Sequence, residues 1–140
     1  MGLLKINTFE EGLERVISTV LNGQTRPVIV SINWSANSGK TELRKKAHEN
    51  LDIKHGKRGW IGLRGDSLDR FIQYPEGPDY FLIEDTGPFP LAADNYALEF
   101  FGKKPDLRVY INRKIPPELV EKLTEREYDL VIENSTATNK

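Results

Sequence analysis

Val28-Ile29-Val30-Ser31-Ile32 is a β-branched run without the polar–apolar alternation of a half-solvated strand. It therefore reads as a strand buried on both faces, the profile of a central strand in a parallel sheet. Before it, residues 8–21 place Phe9, Leu13, Val16, Ile17, Val20 and Leu21 at the three-and-four spacing of an amphipathic helix. Thr8 with Glu11 forms a capping-box pattern at the start of that helix, and Asn22-Gly23 ends it. After the strand, Leu43, Ala47 and Leu51 sit at helical spacing, and Trp60-Ile61-Gly62-Leu63 predicts a strand followed by a short helix through Leu68, Phe71 and Ile72. Tyr80-Phe81-Leu82-Ile83 is a further continuous apolar strand ending in Glu84-Asp85. Leu91, Ala97, Leu98 and Phe101 outline a helix closed by Gly102. Leu107-Arg108-Val109-Tyr110-Ile111, a proline-opened helix over 116–123 and Tyr128-Asp129-Leu130-Val131-Ile132 complete the pattern. Strands alternating with helices predict a three-layer α/β domain of about five mostly parallel strands flanked by helices, joined by right-handed crossovers.

At 140 residues the chain fits one domain over 1–134, with the helix of residues 8–22 packed on it and a polar tail over 135–140. Its 20 Lys+Arg against 21 Asp+Glu give a net charge of −1, which removes the global reason to expect nucleic acid and makes any polyanion site local. Without cysteine there is neither a disulfide framework nor a thiolate zinc site. No apolar stretch is long enough for a membrane span, and the opening residues turn acidic too early for a secretory signal. The expectation is a cytoplasmic protein.

The central strand runs directly into Trp34-Ser35-Ala36-Asn37-Ser38-Gly39-Lys40-Thr41 and then a helix, the order of a phosphate-binding loop. In that geometry the backbone N–H groups of residues 35–41 form a concave nest for phosphates, and the helix N-terminus adds partial positive charge. Lys40 would reach the outer phosphates, and Thr41 would place its hydroxyl on Mg²⁺. Trp34 stands where the pattern G-x-x-x-x-G-K-[ST] has its first glycine, which brings bulk into the loop. Such a loop needs an acid at the end of a neighbouring strand to hold the metal across from the hydroxyl. Glu84 and Asp85 supply it, and since neighbouring strand residues face opposite ways, one of the two faces the site.

Ile32-Asn33-Trp34-Ser35-Ala36-Asn37-Ser38-Gly39-Lys40-Thr41-Glu42-Leu43 resembles the loop of the uridine kinase and nicotinamide riboside kinase group of P-loop kinases, which share an S/N-S-G-K-T-x-L ending. Residues 80–84 are similar to that group's acidic strand, with Asp85 in place of its glycine, and residues 106–111 and 128–134 are similar to its later strands. The resemblance implies a five-stranded parallel sheet with the loop strand central. It also implies a nucleotide cofactor, ATP or another NTP, bound with Mg²⁺, and transfer of the γ-phosphoryl group to a nucleoside-like or other small hydroxyl acceptor. Asp66 is the match for the family's substrate-side carboxylate, with Asp69 second and helix capping an equal alternative for Asp66.

The group carries an arginine-rich lid before the last strand, whereas residues 112–127 contain only Arg113, Lys114, Lys122 and Arg126, mostly within one short helix. Arg113 is the candidate for the phosphates, a surface ion pair being the alternative. The shortened lid and Trp34 leave two classes of function open: a small-molecule kinase, or a catalytically reduced nucleotide-binding or protein-interaction module. The basic stretch 44–58 lacks aromatic stacking partners, so it reads as a solvated helix face rather than a nucleic-acid site. His48 and His55 read as surface histidines, and a homo-oligomer remains open.

Overall fold

In the computed structural model the described residues are 4–23, 27–33, 38–57, 59–63, 79–85, 98 and 102–135, with 60–63 and 85 described by backbone alone. The elements are β1 (Ile6–Asn7), α1 (Phe9–Asn22), β2 (Val28–Asn33), α2 (Lys40–Glu49), β3 (Gly59–Leu63), β4 (Tyr80–Asp85), β5 (Leu107–Asn112), α3 (Pro117–Glu125) and β6 (Leu130–Glu133). The expected helix through Leu68, Phe71 and Ile72 lies outside the described residues. Of the helix expected up to Phe101, Leu98 is described and is helical. Gly102 donates its N–H to the Leu98 carbonyl at 2.9 Å with φ +69°, the left-handed closure that a glycine permits.

All strand pairs are parallel, in the order β1-β6-β5-β2-β4-β3. β2 lies between β4 and β5 and is buried at every residue, its apolar run Val28-Ile29-Val30 and Ile32 fitting burial on both faces and its Ser31 and Asn33 side chains hydrogen-bonded to each other. β1 is an addition to the expected five strands. Two residues carry no periodicity, and β1 is held from outside itself: Ile6 pairs with Val131, and the Asn7 side chain donates to the Val131 carbonyl at 3.2 Å.

Alternation along the strands splits the core between two faces. On one, Val16 and Val20 of α1 and Leu43 and Ala47 of α2 pack against Val30, Ile32, Leu82, Val109 and Ile132. On the other, Val120 and Leu123 of α3 pack with Tyr110, Tyr128 and Val131. Each Val, Leu or Ile among them contributes about 1.5–3 kcal/mol when fully buried, so these two layers dominate stability. α2 runs on into a π-helical turn, Asn50–Lys54, which keeps Leu51 fully buried. The capping box of α1 is formed: Glu11 N–H donates to Thr8 Oγ1 at 3.2 Å and Thr8 N–H to Glu11 Oε1 at 3.0 Å. From β2 the chain passes to β3 and β4 on one side of it and then to β5 and β6 on the other. That reversal makes the carboxyl ends of β2 and its neighbours the topological switch point, where open α/β sheets bind ligands.

Candidate phosphate-binding site

β2 delivers the chain to this edge at Asn33, and α2 leaves it at Lys40. Gly39, just before the helix, has φ +98°, a conformation that side chains resist. A Cβ there would lie 2.4 Å from Nδ2 of Asn134. Asn134 is buried just beyond β6 and ties the loop to the far side of the sheet: its side chain donates to the Ser38 carbonyl at 3.0 Å, and its N–H to the Asn112 carbonyl at 2.8 Å. Gly39 provides no side-chain cap to α2, and the N-terminus of a helix favours anionic acceptors. Ser38 and Lys40 are both buried, Lys40 to 4% exposure.

Strand alternation puts Glu84 on the face of Tyr80 and Leu82, beneath α2. Glu84 is buried, and its carboxylate accepts the Thr41 hydroxyl at 2.8 Å. The second oxygen, Oε2, lies 3.2 Å from Nε of Arg44, three residues further along the helix. The exposed Thr41 and the half-buried Arg44, one turn apart on α2, thus both meet the buried Glu84. Among the described residues no group of three or more His, Cys, Asp or Glu side chains could hold a metal. A hydroxyl beside one carboxylate suits Mg²⁺, which keeps several waters and takes further ligands from phosphate oxygens.

Arg113 follows β5 on the same edge, half-buried, its N–H donating to Asn112 Oδ1 at 2.8 Å. Burial pushes the phenol of Tyr110 up, partly offset by its hydrogen bond with Asn112 and the charge of Arg126. Asn33 is buried, donates to Ser31 Oγ at 3.1 Å and to the Val109 carbonyl at 3.2 Å, and its Oδ1 has no hydrogen-bond partner among the described residues.

The structure therefore brings Ser38, Gly39, Lys40, Thr41 and Glu84 to one corner and places Arg113 on the neighbouring strand end. Trp34, Ser35, Ala36, Asn37, Asp66 and Asp69 lie outside the described residues, as does the side chain of Asp85, whose backbone pairs with Asn33. Three contributors escaped the sequence reading. Arg44 was absorbed into a basic run, although its position one turn beyond Thr41 was a usable signal; Asn33 and Asn134 had none, because their roles arise from strand neighbours. His48 corrects the expectation of a surface histidine: it is half-buried, and Nδ1 is hydrogen-bonded to the hydroxyl of the fully buried Tyr80. Its place on the inner flank of α2 was hidden by the surrounding lysines. His55 is exposed.

No family model matches the chain, and no curated protein matches it. Among solved structures, AMPPCP-bound DnaA from Aquifex aeolicus is similar at 17% identity, with a TM-score of 0.45. The likeness covers 88% of this chain and 56% of that one, so the chain spans little more than half of that structure's length.

Proposed function

We propose that the chain binds Mg²⁺·NTP, ATP first and GTP second, through the backbone of residues 35–41, Lys40 and Thr41. The observation that carries this is the 2.8 Å bond from Thr41 to Glu84, which joins the first turn of the post-loop helix to the acid of the adjacent strand. By donating its proton to Glu84, the hydroxyl keeps its lone pairs for another ligand. Thr41 and Glu84, with Asp85 as the third candidate, are the residues that would hold Mg²⁺. The ion would supply charge neutralisation for phosphate oxygens. The finer reading is a small-molecule kinase, with Asp66 orienting the acceptor hydroxyl and Arg113 near the phosphates.

A second reading, a catalytically reduced nucleotide-binding or interaction module, has a specific observation behind it. α3 fills the interval where a lid would stand and commits Val120 and Leu123 to the core, while Lys114, Lys122 and Arg126 are exposed. A water-excluding lid accounts for much of what a phosphoryl-transfer enzyme provides.

Titration with Mg²⁺·ATP and Mg²⁺·GTP, followed by melting temperature and Trp34 fluorescence beside Lys40→Ala, tests the binding. Saturable stabilisation that the variant loses is the expected outcome; no stabilisation at millimolar nucleotide overturns it. Turnover of bound ATP with a panel of nucleosides and other small alcohols then separates kinase from module.

A further inference from the structure

Glu84 already has a cation. Its Oε2 lies 3.2 Å from Arg44 Nε, yet neither atom has a hydrogen-bond partner among the described residues, so the contact is charge against charge without alignment. An arginine held by a parallel two-bond fork to a carboxylate is locked in place; a misaligned one is held by attraction alone and is easier to exchange. Arg44 retains a route outward, with 14% of its side chain exposed against 4% for Glu84. The acid is too buried to stand without a positive neighbour. A divalent ion brought onto the same carboxylate would sit close to the guanidinium, and two positive charges that close together repel each other.

We propose that Arg44 is a resident counterion that competes with the divalent metal for Glu84, so that metal enters only when phosphate oxygens arrive with it. This rests on the phosphate-loop reading for its purpose, but the competition concerns the protein and the metal alone. Arg44 here is a positioning residue: it acts through Glu84 and sets how tightly the acid engages a metal. Without it, Glu84 would be a buried carboxylate open to Mg²⁺ or Mn²⁺ even with no nucleotide present. The arrangement would keep the loop metal-free until substrate binding.

The experiment is a thermal melt of the nucleotide-free protein across 0.1–10 mM MgCl₂ or MnCl₂, spanning roughly the range over which Mg²⁺ sites of few protein ligands fill. The wild type should shift little. Arg44→Met should gain a saturable metal-dependent rise of about 3–6 °C, with at least a tenfold lower half-saturating concentration. Arg44→Lys, which keeps the charge, should behave like the wild type, and adding Glu84→Gln to Arg44→Met should abolish the gain. Metal-independent melting of a folded Arg44→Met overturns the proposal. Should that variant fold only with metal, the proposal is supported; should it fail to fold in either condition, the wild type decides. Saturation of the wild type by micromolar Mg²⁺ alone overturns the competition, and absence of saturation up to 10 mM supports it. Failure of nucleotide binding would be read in the separate Lys40→Ala titration, so the two readings fall independently.

Discussion

The two ends of the sheet use carboxylates differently. At the amino-terminal end, Asp106 accepts the N–H of Ile29 at 2.7 Å while its own N–H donates to the Ile29 carbonyl at 2.7 Å. Asp129 repeats the arrangement with Arg108 one strand over, at 2.8 and 2.9 Å. Both acids extend the backbone ladder by one step and satisfy donors that would otherwise face the open end. At the carboxyl end, Glu84 engages a hydroxyl and a guanidinium, both from the same helix. The first pair is fixed by the sheet itself; the second consists of side chains that can change partners without breaking a ladder. A carboxylate becomes available for chemistry when its partners are side chains rather than strand N–H groups.

Neutralising one acid at each end tests the contrast. Glu84→Gln leaves Arg44 against an uncharged amide in a buried corner and should cost roughly 2–3 kcal/mol in denaturant melts, with Mg²⁺·ATP affinity reduced at least about tenfold. Asp106→Asn keeps an acceptor for Ile29 and loses mainly the pair with Lys103 at 3.0 Å, so about 0.5–1 kcal/mol is expected with nucleotide affinity unchanged. Equal loss of nucleotide affinity in both variants would end the distinction between the two edges.

Gly39→Ala should follow at about 2 kcal/mol, from the left-handed φ together with the displacement of Asn134. Nucleotide affinity should fall with it, because Asn134 holds the Ser38 carbonyl. The sharper version is a double-mutant cycle. Asn134→Ala removes the atom that the new methyl would strike, so Gly39→Ala with Asn134→Ala should be less destabilised than the sum of the singles. Strict additivity would mean that φ alone makes Gly39 necessary.

What could be read in the sequence follows from the range over which each signal acts. β2, β4, α1 and α2 were legible because burial on two faces, or on one helical stripe, leaves a continuous pattern in Val28-Ile29-Val30 or in Leu43, Ala47 and Leu51. β1 was not, because two residues gain their strand character from Val131, more than 120 positions away. At the site, Gly39, Lys40, Thr41 and Glu84 were legible as residue types in a strand–loop–helix order. Asn134 at Ser38 and Arg44 at Glu84 were not, since each is a contact between a side chain and a group brought to it by folding. The local chemistry of a loop is thus written in its own residues, while the groups that hold it in shape and set its charge come from elsewhere.

The smallest effects belong to the cap of α1, where Phe9 lies beside Gly39 and beneath Lys46 of α2, and they test whether the site is insulated from local helix stability. Thr8→Ala removes a hydroxyl that accepts the Glu11 N–H and should cost about 1 kcal/mol with Mg²⁺·ATP affinity unchanged. Glu11 adds a pH signature. Its carboxyl is held below the ordinary 4.5 first by the Thr8 backbone N–H, then by Lys5 at 3.2 Å and the Thr8 side chain. A carboxyl depressed in the folded state binds protons more readily when unfolded, so its contribution is full above the ordinary value and fades as pH falls through the lowered one. Glu11→Gln should therefore melt slightly below the wild type at pH 7, and the gap should close as pH falls below 4.5 through the lowered value. A gap that persists unchanged to pH 3 would show that the carboxylate's charge is irrelevant and that only its shape as a hydrogen-bond acceptor supports the helix start.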